Sequence, residues 1–403
     1  MSHKLTVALT QYTPLLHFQG DVPGAFLRAS EVKPALDLFL LACLPKEITL
    51  PKSWRYEGNH ALRYRMAFRG DKRTVDRNIH ALYFATAPAT RAVWYSDMTM
   101  SIVALSPEKI VLEGEGLTLT DVIARYLPAF FALHCFGARS NKGFGSFGVK
   151  SINDVPVPIP RLDTLTSCAP AGVLYCLDYG STPESRTVLD EVALLSDIMK
   201  RGINDTHGDP ESDRYLKGLI FQYIMEKGSA EVHSEKALIK KKILNDAAAQ
   251  EEDDSVQKAF GKRPLEEGAE YRYIRGLLGL AGIYEYKIDQ DNPHSRRAGR
   301  VFVRNPDKRV ERFENPVHFK PFDRYLLLIP QPIPDDVLGA KFSFYTKDNT
   351  TKKNLKEETV RTPDTFSLDA FLQYVCRRVR EDEEVYRFLG GPKEILRFSD
   401  RPE

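Results

Sequence analysis

Between residues 137 and 148 the chain reads Gly137-Ala138-Arg139-Ser140-Asn141-Lys142-Gly143-Phe144-Gly145-Ser146-Phe147-Gly148, which joins backbone freedom, positive charge and aromatic faces in one short stretch. Arg139, Asn141 and Lys142 are residue types that hold phosphate oxygens. Gly143 and Gly145 permit positive φ and let a phosphate come close to the main chain. Phe144 offers a face on which a base can stack, although phenylalanines in a tight connection also fill cores, and Phe147 inward with Phe144 outward would satisfy both. The last six residues spell the G-x-G-x-x-G of dinucleotide-binding folds, a motif that needs a strand before it and a helix after it. Here the order is reversed, with a helical pattern upstream and a strand pattern from Ser146 to Ile152 downstream. A phosphate loop of the Walker type fails as well, because Lys142 is followed by Gly143 and not by the serine or threonine that holds magnesium. No cofactor is expected.

A second basic group comprises Arg28, Lys33, Arg63, Arg65 and Arg69. Alternation along a strand would send Arg63 and Arg65 to one face, where they serve either a nucleic-acid groove or an ordinary solvated surface. Catalytic chemistry is harder to place. His17 can act as a general base, but metal-free RNA cleavage also needs a group that stabilises the developing phosphorane charge, and His60 and His80 cannot be brought to it by sequence alone. Loop aspartates such as Asp21 and Asp71 are turn formers first, as histidines like His318 are packing residues first. No catalytic residue is assigned. No histidine pair has helical metal-site spacing, and Cys43, Cys135, Cys168, Cys176 and Cys376 are scattered without C-x-x-C spacing, so neither a metal centre nor a disulfide scaffold is expected.

The elements that must position these residues follow from periodicity. Leu5 to Leu16 alternates as a strand. Ser30-Glu31-Val32-Lys33 opens a helix with Pro34 in its first turn. Strands are expected at 63–68, 92–95 and 99–105, with Leu82-Tyr83-Phe84 between them. A helix over 120–136, with Thr118 or Thr120 as N-cap, is stopped by Gly137. Alternating prolines from Pro156 to Pro160 suggest a stiff linker. After it come a strand at 172–178, helices at about 185–201, 212–226 and 235–244, a mobile insertion over 246–268, further strands near 282–288, 300–304, 316–319, 325–329 and 341–345, and a final helix at 367–380.

This order predicts an α+β protein of two ferredoxin-like (βαββαβ) domains in tandem, the second elaborated with helical insertions. The expected boundaries are 1–153 for the first domain, 154–165 for the linker and 166–403 for the second domain. With 57 Lys and Arg against 55 Asp and Glu, the net charge is only +2, so a nucleic-acid surface must be a local patch. The N-terminus alternates where a signal peptide would be continuously apolar, and no run approaches a membrane span, so a cytoplasmic protein without membrane contact is expected.

Three stretches resemble the RAMP (repeat-associated mysterious protein) superfamily of CRISPR type III systems: Thr13-Pro14-Leu15, Leu27-Arg28-Ala29-Ser30-Glu31-Val32-Lys33, and Arg139-Ser140-Asn141-Lys142-Gly143-Phe144-Gly145-Ser146. Within it, the chain is most similar to the two-domain end subunit of Cmr-type complexes. Arg312-Phe313-Glu314-Asn315-Pro316-Val317-His318-Phe319-Lys320 is similar to a segment of that subunit's second domain. The resemblance implies a non-catalytic subunit that holds one end of a guide RNA or guide-target duplex among other effector subunits in antiviral defence. Two alternatives are a metal-independent guide-processing endoribonuclease with His17 as base, and a protein-interaction scaffold.

Overall fold

The computed structural model describes residues 3–16, 27–58, 60–70, 72–76, 92–205, 214–227, 232–244, 270–288, 297–310, 312–347 and 354–400. His17, Asp21, Asp71, His80, Leu82-Tyr83-Phe84 and the insertion expected at 246–268 lie outside these residues. The protein is α+β, and among the described residues no helix is long and apolar enough to cross a membrane. The chain forms two compact units, one of Met1–Val192, Val317–Gln331 and Glu394–Glu403, the other of Ala193–Pro316 and Pro332–Lys393.

In the first unit, β1 (Lys4–Gln11), β3 (Arg65–Arg69), β6 (Thr99–Val103), β9 (Phe147–Ile152) and β10 (Val155–Pro156) make an antiparallel sheet in the order β10-β9-β1-β6-β3. The expected strand from Leu5 to Leu16 is broken: after Gln11 the chain bends, and Leu15–Leu16 (β2) pairs with β5 (Ala92–Ser96), which also pairs with β4 (Lys72–Asp76). β7 (Lys109–Leu112) and β8 (Glu115–Thr118) form a hairpin whose turn residues Glu113 and Gly114 both have positive φ. That is the conformation whose twist suits a two-residue hairpin. Val155-Pro156, in the proline-rich stretch, adds to the sheet edge, where a proline costs no ladder bond.

Alternation sends Leu5, Val7, Leu9, Phe68, Met100 and Ile102 to one face of this sheet, into a core shared with α1 (Ala29–Cys43) and α2 (Leu119–Leu133). α1 starts before Ser30, with Arg28 as N-cap, so Pro34 sits inside the helix and not in its first turn. α2 is fixed by a reciprocal cap: the Asp121 N–H donates to Thr118 Oγ1 (3.3 Å) and the Thr118 N–H donates to the Asp121 carboxylate (2.9 Å). It ends at Leu133, ahead of the expected Gly137, because His134 turns extended and Cys135 bridges to Ser146.

A second antiparallel sheet of the same unit runs β18 (Val317–Phe322), β19 (Tyr325–Pro330), β11 (Val173–Asp178), β22 (Ile395–Ser399). Leu174, Cys176, Phe322, Leu327 and Ile329 from this sheet join the same core as the first. Its strands come in the chain order β11, β18, β19, β22.

The second unit is built on a six-stranded sheet, β14 (Val232–Ser234), β15 (Glu270–Arg272), β21 (Asn354–Arg361), β20 (Lys341–Lys347), β17 (Arg297–Arg304) and β16 (Ile283–Ile288), in that order. Its inner face packs Tyr286, Val301, Phe342, Phe344 and Val360 against Leu238, Ile239 and Ile243. The helix expected at 212–226 divides: Arg214–Leu216 pairs as β13 with β12 (Ile203–Asp205), and the helix itself covers only Leu219–Lys227. Tertiary pairing overrides the local helical pattern there.

Candidate nucleic-acid interface

The glycine-rich loop leaves α2 and enters β9, and many of its polar backbone groups are engaged by protein. Thr13 Oγ1 donates to the Gly143 carbonyl (2.6 Å) and accepts from the Ser146 N–H (2.9 Å). The Gly145 N–H donates to the Pro14 carbonyl (2.9 Å), the Ala138 N–H to the Leu16 carbonyl (2.8 Å), and the Gly137 N–H to Glu31 Oε1 (2.5 Å). On its other side the Phe319 N–H of β18 donates to the Asn141 carbonyl (3.1 Å), and Ser146 Oγ donates to the Pro321 carbonyl. Thr13-Pro14-Leu15, the start of α1 and the loop are therefore one hydrogen-bonded assembly.

The two glycines are required by protein packing. At Gly145, with φ 66°, a Cβ would run into the Phe136 carbonyl oxygen, and at Gly143, with φ 82°, it would meet Pro321 Cδ at 2.9 Å. Phe144 and Phe147 are both fully buried. The expectation that Phe144 offers its face to a base is corrected: a ring without solvent access can stack on no ligand, and the close approach at Gly145 is to a carbonyl of the chain itself. Arg139 remains exposed at the head of the loop, with φ 57°, while Asn141 and Lys142 are half-buried.

Below the loop lies a buried cation. Lys320 is 1 % exposed, and its ammonium donates to the His134 carbonyl (2.8 Å) and the Phe147 carbonyl (2.9 Å), so it ties the end of α2 and the start of β9 to β18. Desolvation pushes its pKa down to about 8. His134 is enclosed around its ring, stacked on Phe130 at 4.5 Å and edge-on to Phe39 at 5.4 Å, with Nδ1 against the Phe130 carbonyl (2.9 Å). Desolvation pushes its pKa down to about 4, leaving it neutral at physiological pH.

The second basic group is divided by the structure. Lys33 is committed inside the unit, paired with the Asp37 carboxylate (2.7 Å), donating to the Leu62 carbonyl (2.8 Å) and lying over the Tyr64 ring at 4.2 Å. Those contacts remove it from the candidate interface. Arg28 is exposed at the start of α1, and Arg63 is exposed with its guanidinium over Tyr56.

Arg65 and Arg69 are exposed on the face of the first sheet opposite the helices, at its β3 edge. Register aligns Arg65, Val103 and Lys4 in one row, Ala67, Ser101 and Thr6 in the next, and Arg69, Thr99 and Ala8 in a third. None of these nine positions carries a carboxylate, and the middle of the patch is made of small residues. Tyr12 and Phe322, edge to face at 5.4 Å, close its end beside Gly148. Lys4 was missed in the sequence reading, although its phase against buried Leu5, Val7 and Leu9 marks it. The loop enters the sheet at β9, and β3 lies three strands away, about 14 Å across at ordinary strand spacing. Among the described residues no group of three or more His, Cys, Asp or Glu has the arrangement of a metal site.

The family model described as Cmr1 N-terminal domain matches residues 2–203, and that described as Cmr1 C-terminal domain matches residues 215–388. Comparison with curated proteins gives no match. Together the two matches cover every strand of the first sheet and of the six-stranded sheet, and every strand of the second sheet except β22. The chain belongs to the Cmr1 family of RAMP subunits in type III CRISPR effector complexes.

Proposed function

We propose that the chain binds RNA without cutting it, holding one end of a guide RNA or guide-target duplex on the open face of its first sheet. The observation that carries this reading is the set of exposed cations Lys4, Arg65 and Arg69 flanking small side chains on three register rows without a carboxylate. Phosphates reach the arginines from outside, and Ala67, Ser101 and Thr6 leave room for a flat backbone path between them. Arg139, at the head of the glycine-rich loop, extends the positive field toward β9, with Asn141 and Lys142 behind it. Arg28 and Arg63 are supporting contacts. Other subunits of the effector complex are the expected protein partners, and antiviral defence in the cytoplasm is the expected setting.

On this reading both antiparallel sheets of the first unit are ferredoxin-like. In each, the order of the four core strands supports this: the first and third are central, the fourth lies beside the first and the second beside the third, as in βαββαβ. The domain division at 154–165 is then a division between two folds, with the six-stranded sheet and its helices as the elaboration of the second.

Filter-binding titration of the full chain with a single-stranded guide-like RNA tests the interface. The Arg65→Glu/Arg69→Glu variant should lose at least tenfold in affinity at low salt. The log-log salt slope should become shallower by roughly 0.7 per phosphate contact removed. Unchanged affinity and slope would remove the face from the site. Incubation with guide-repeat RNA and with paired target, with and without magnesium, should leave both intact; cleavage abolished by His17→Ala would overturn the non-catalytic part.

A further inference from the structure

The six-stranded sheet of the second unit has its own open face, and its composition differs from the inner one. Register places Ile283 and Glu285 of β16, Arg300, Phe302 and Arg304 of β17, Lys341, Ser343, Tyr345 and Lys347 of β20, and Glu357, Thr359 and Arg361 of β21 on the side away from the core. At its centre Phe302 and Tyr345 are cross-strand partners, with ring centroids 5.7 Å apart and planes only 26° from parallel. Both rings are half-exposed. Lys347 Nζ lies 4.5 Å from the Phe302 centroid and 5.6 Å from that of Tyr345, and the Arg304 guanidinium lies 5.1 Å from that of Tyr345.

Among the described residues, five exposed cations, Arg300, Arg304, Lys341, Lys347 and Arg361, share this face with two carboxylates. Those carboxylates are taken up by arginines of the same face: Glu357 accepts from Arg304 (2.9 and 3.0 Å) and Glu285 from Arg300 (2.8 Å). The face is thus a parallel aromatic pair in a positive surround. On a core-forming surface the rings would be enclosed by aliphatic side chains, as Phe342 and Phe344 are on the opposite side. A protein partner would need to bury three unneutralised ammonium and guanidinium groups, whereas a polyanion with planar bases satisfies charge and rings together.

We infer that this face is a binding platform for single-stranded RNA, separate in residues and in unit from the first-sheet interface. A base sliding onto the outer face of either ring displaces Lys347 or Arg304 from its cation–π position, and the displaced cation is then in reach of the adjoining phosphate. Lys341 and Arg361, side by side across β20 and β21, continue the phosphate track. Stacking tolerates any base, so the platform would be indifferent to sequence.

The test is ultraviolet crosslinking of the full chain to a uridine 15-mer, followed by mapping of the crosslinked peptides, together with anisotropy titration of the same oligomer. Crosslinks are expected at Phe302 or Tyr345, and they should persist in Arg65→Glu/Arg69→Glu, which separates this site from the first. Phe302→Leu/Tyr345→Leu, which retains apolar bulk, should weaken uridine-oligomer binding in that background about tenfold, as should Lys341→Glu/Lys347→Glu. Absence of crosslinks on β17 and β20, or wild-type affinity in both variants, overturns the inference. So would binding of an acidic peptide at this face in preference to the oligomer.

Discussion

The glycine-rich loop and the open face of the first sheet carry similar residue types, yet they direct them oppositely. From Gly143 to Gly148 the loop is buried, amides of Gly143, Gly145 and Ser146 donate to carbonyl and hydroxyl oxygens of the chain, and its phenylalanines sit in the core. On the sheet face, Arg65, Ala67 and Arg69 project outward while Phe68 anchors the strand from behind. A motif rich in glycine, aromatic and basic residues can therefore serve as a buckle, joining the end of β1, the start of α1 and β18, while a strand with ordinary alternation supplies the exposed charge. Positive charge is divided in the same way: Lys320 and Lys33 hold carbonyls and a carboxylate inside the unit, and Arg65 and Arg69 do not.

The contrast is broken most severely at Gly145. Gly145→Ala places a Cβ against the Phe136 carbonyl at a left-handed backbone, and urea denaturation should show a loss of about 3 kcal/mol or more. Unaltered stability would mean that the loop is not the buckle described. Lys320 gives the next effect. Unfolded, it keeps its proton to about 10.5, and folded it releases it near 8, so between these values the unfolded chain binds more protons and stability should rise with pH. The rise is on the order of 3 kcal/mol at most, and Lys320→Met should abolish it in melts from pH 7.5 to 10.5.

His134 acts in a lower window with the same sign. Its folded pKa near 4 lies below the unfolded 6.5, so stability should fall as pH drops from 6.5 toward 4, by about 3 kcal/mol at most. His134→Phe should flatten that limb. The smallest effect sharpens the contrast at the ring once expected to meet RNA: Phe144→Leu should cost about 1 kcal/mol in stability and leave RNA affinity unchanged. A selective loss of affinity would return Phe144 to the interface.

Much of this was legible in the sequence where period and caps agree. Thr118, one of the two candidate N-caps, marked the start of α2, and the alternation through Leu5, Val7 and Leu9 marked β1 and its inner face. The direction of Phe144 was not legible, because glycines at 143 and 145 suit a phosphate and a neighbouring carbonyl equally, and only the tertiary partner Phe136 distinguishes them. β21 was missed since Lys356-Glu357-Glu358-Thr359 has little apolar alternation, its strand state coming from pairing with β20. β22 was missed as a short tail segment that gains its identity from β11, far away in sequence. Lys33 and Lys320 look like surface lysines until Asp37, Leu62, His134 and Phe147 are placed around them.

The most direct test of RNA held on the open sheet face is a salt titration of guide-like RNA affinity for the wild-type chain beside Arg65→Glu/Arg69→Glu, with thermal melts confirming that both are folded. The account predicts equal melting temperatures, at least a tenfold weaker affinity at low salt, and a log-log slope shallower by roughly 1.4 for two phosphate contacts. Superimposable titrations for the two folded proteins would contradict it.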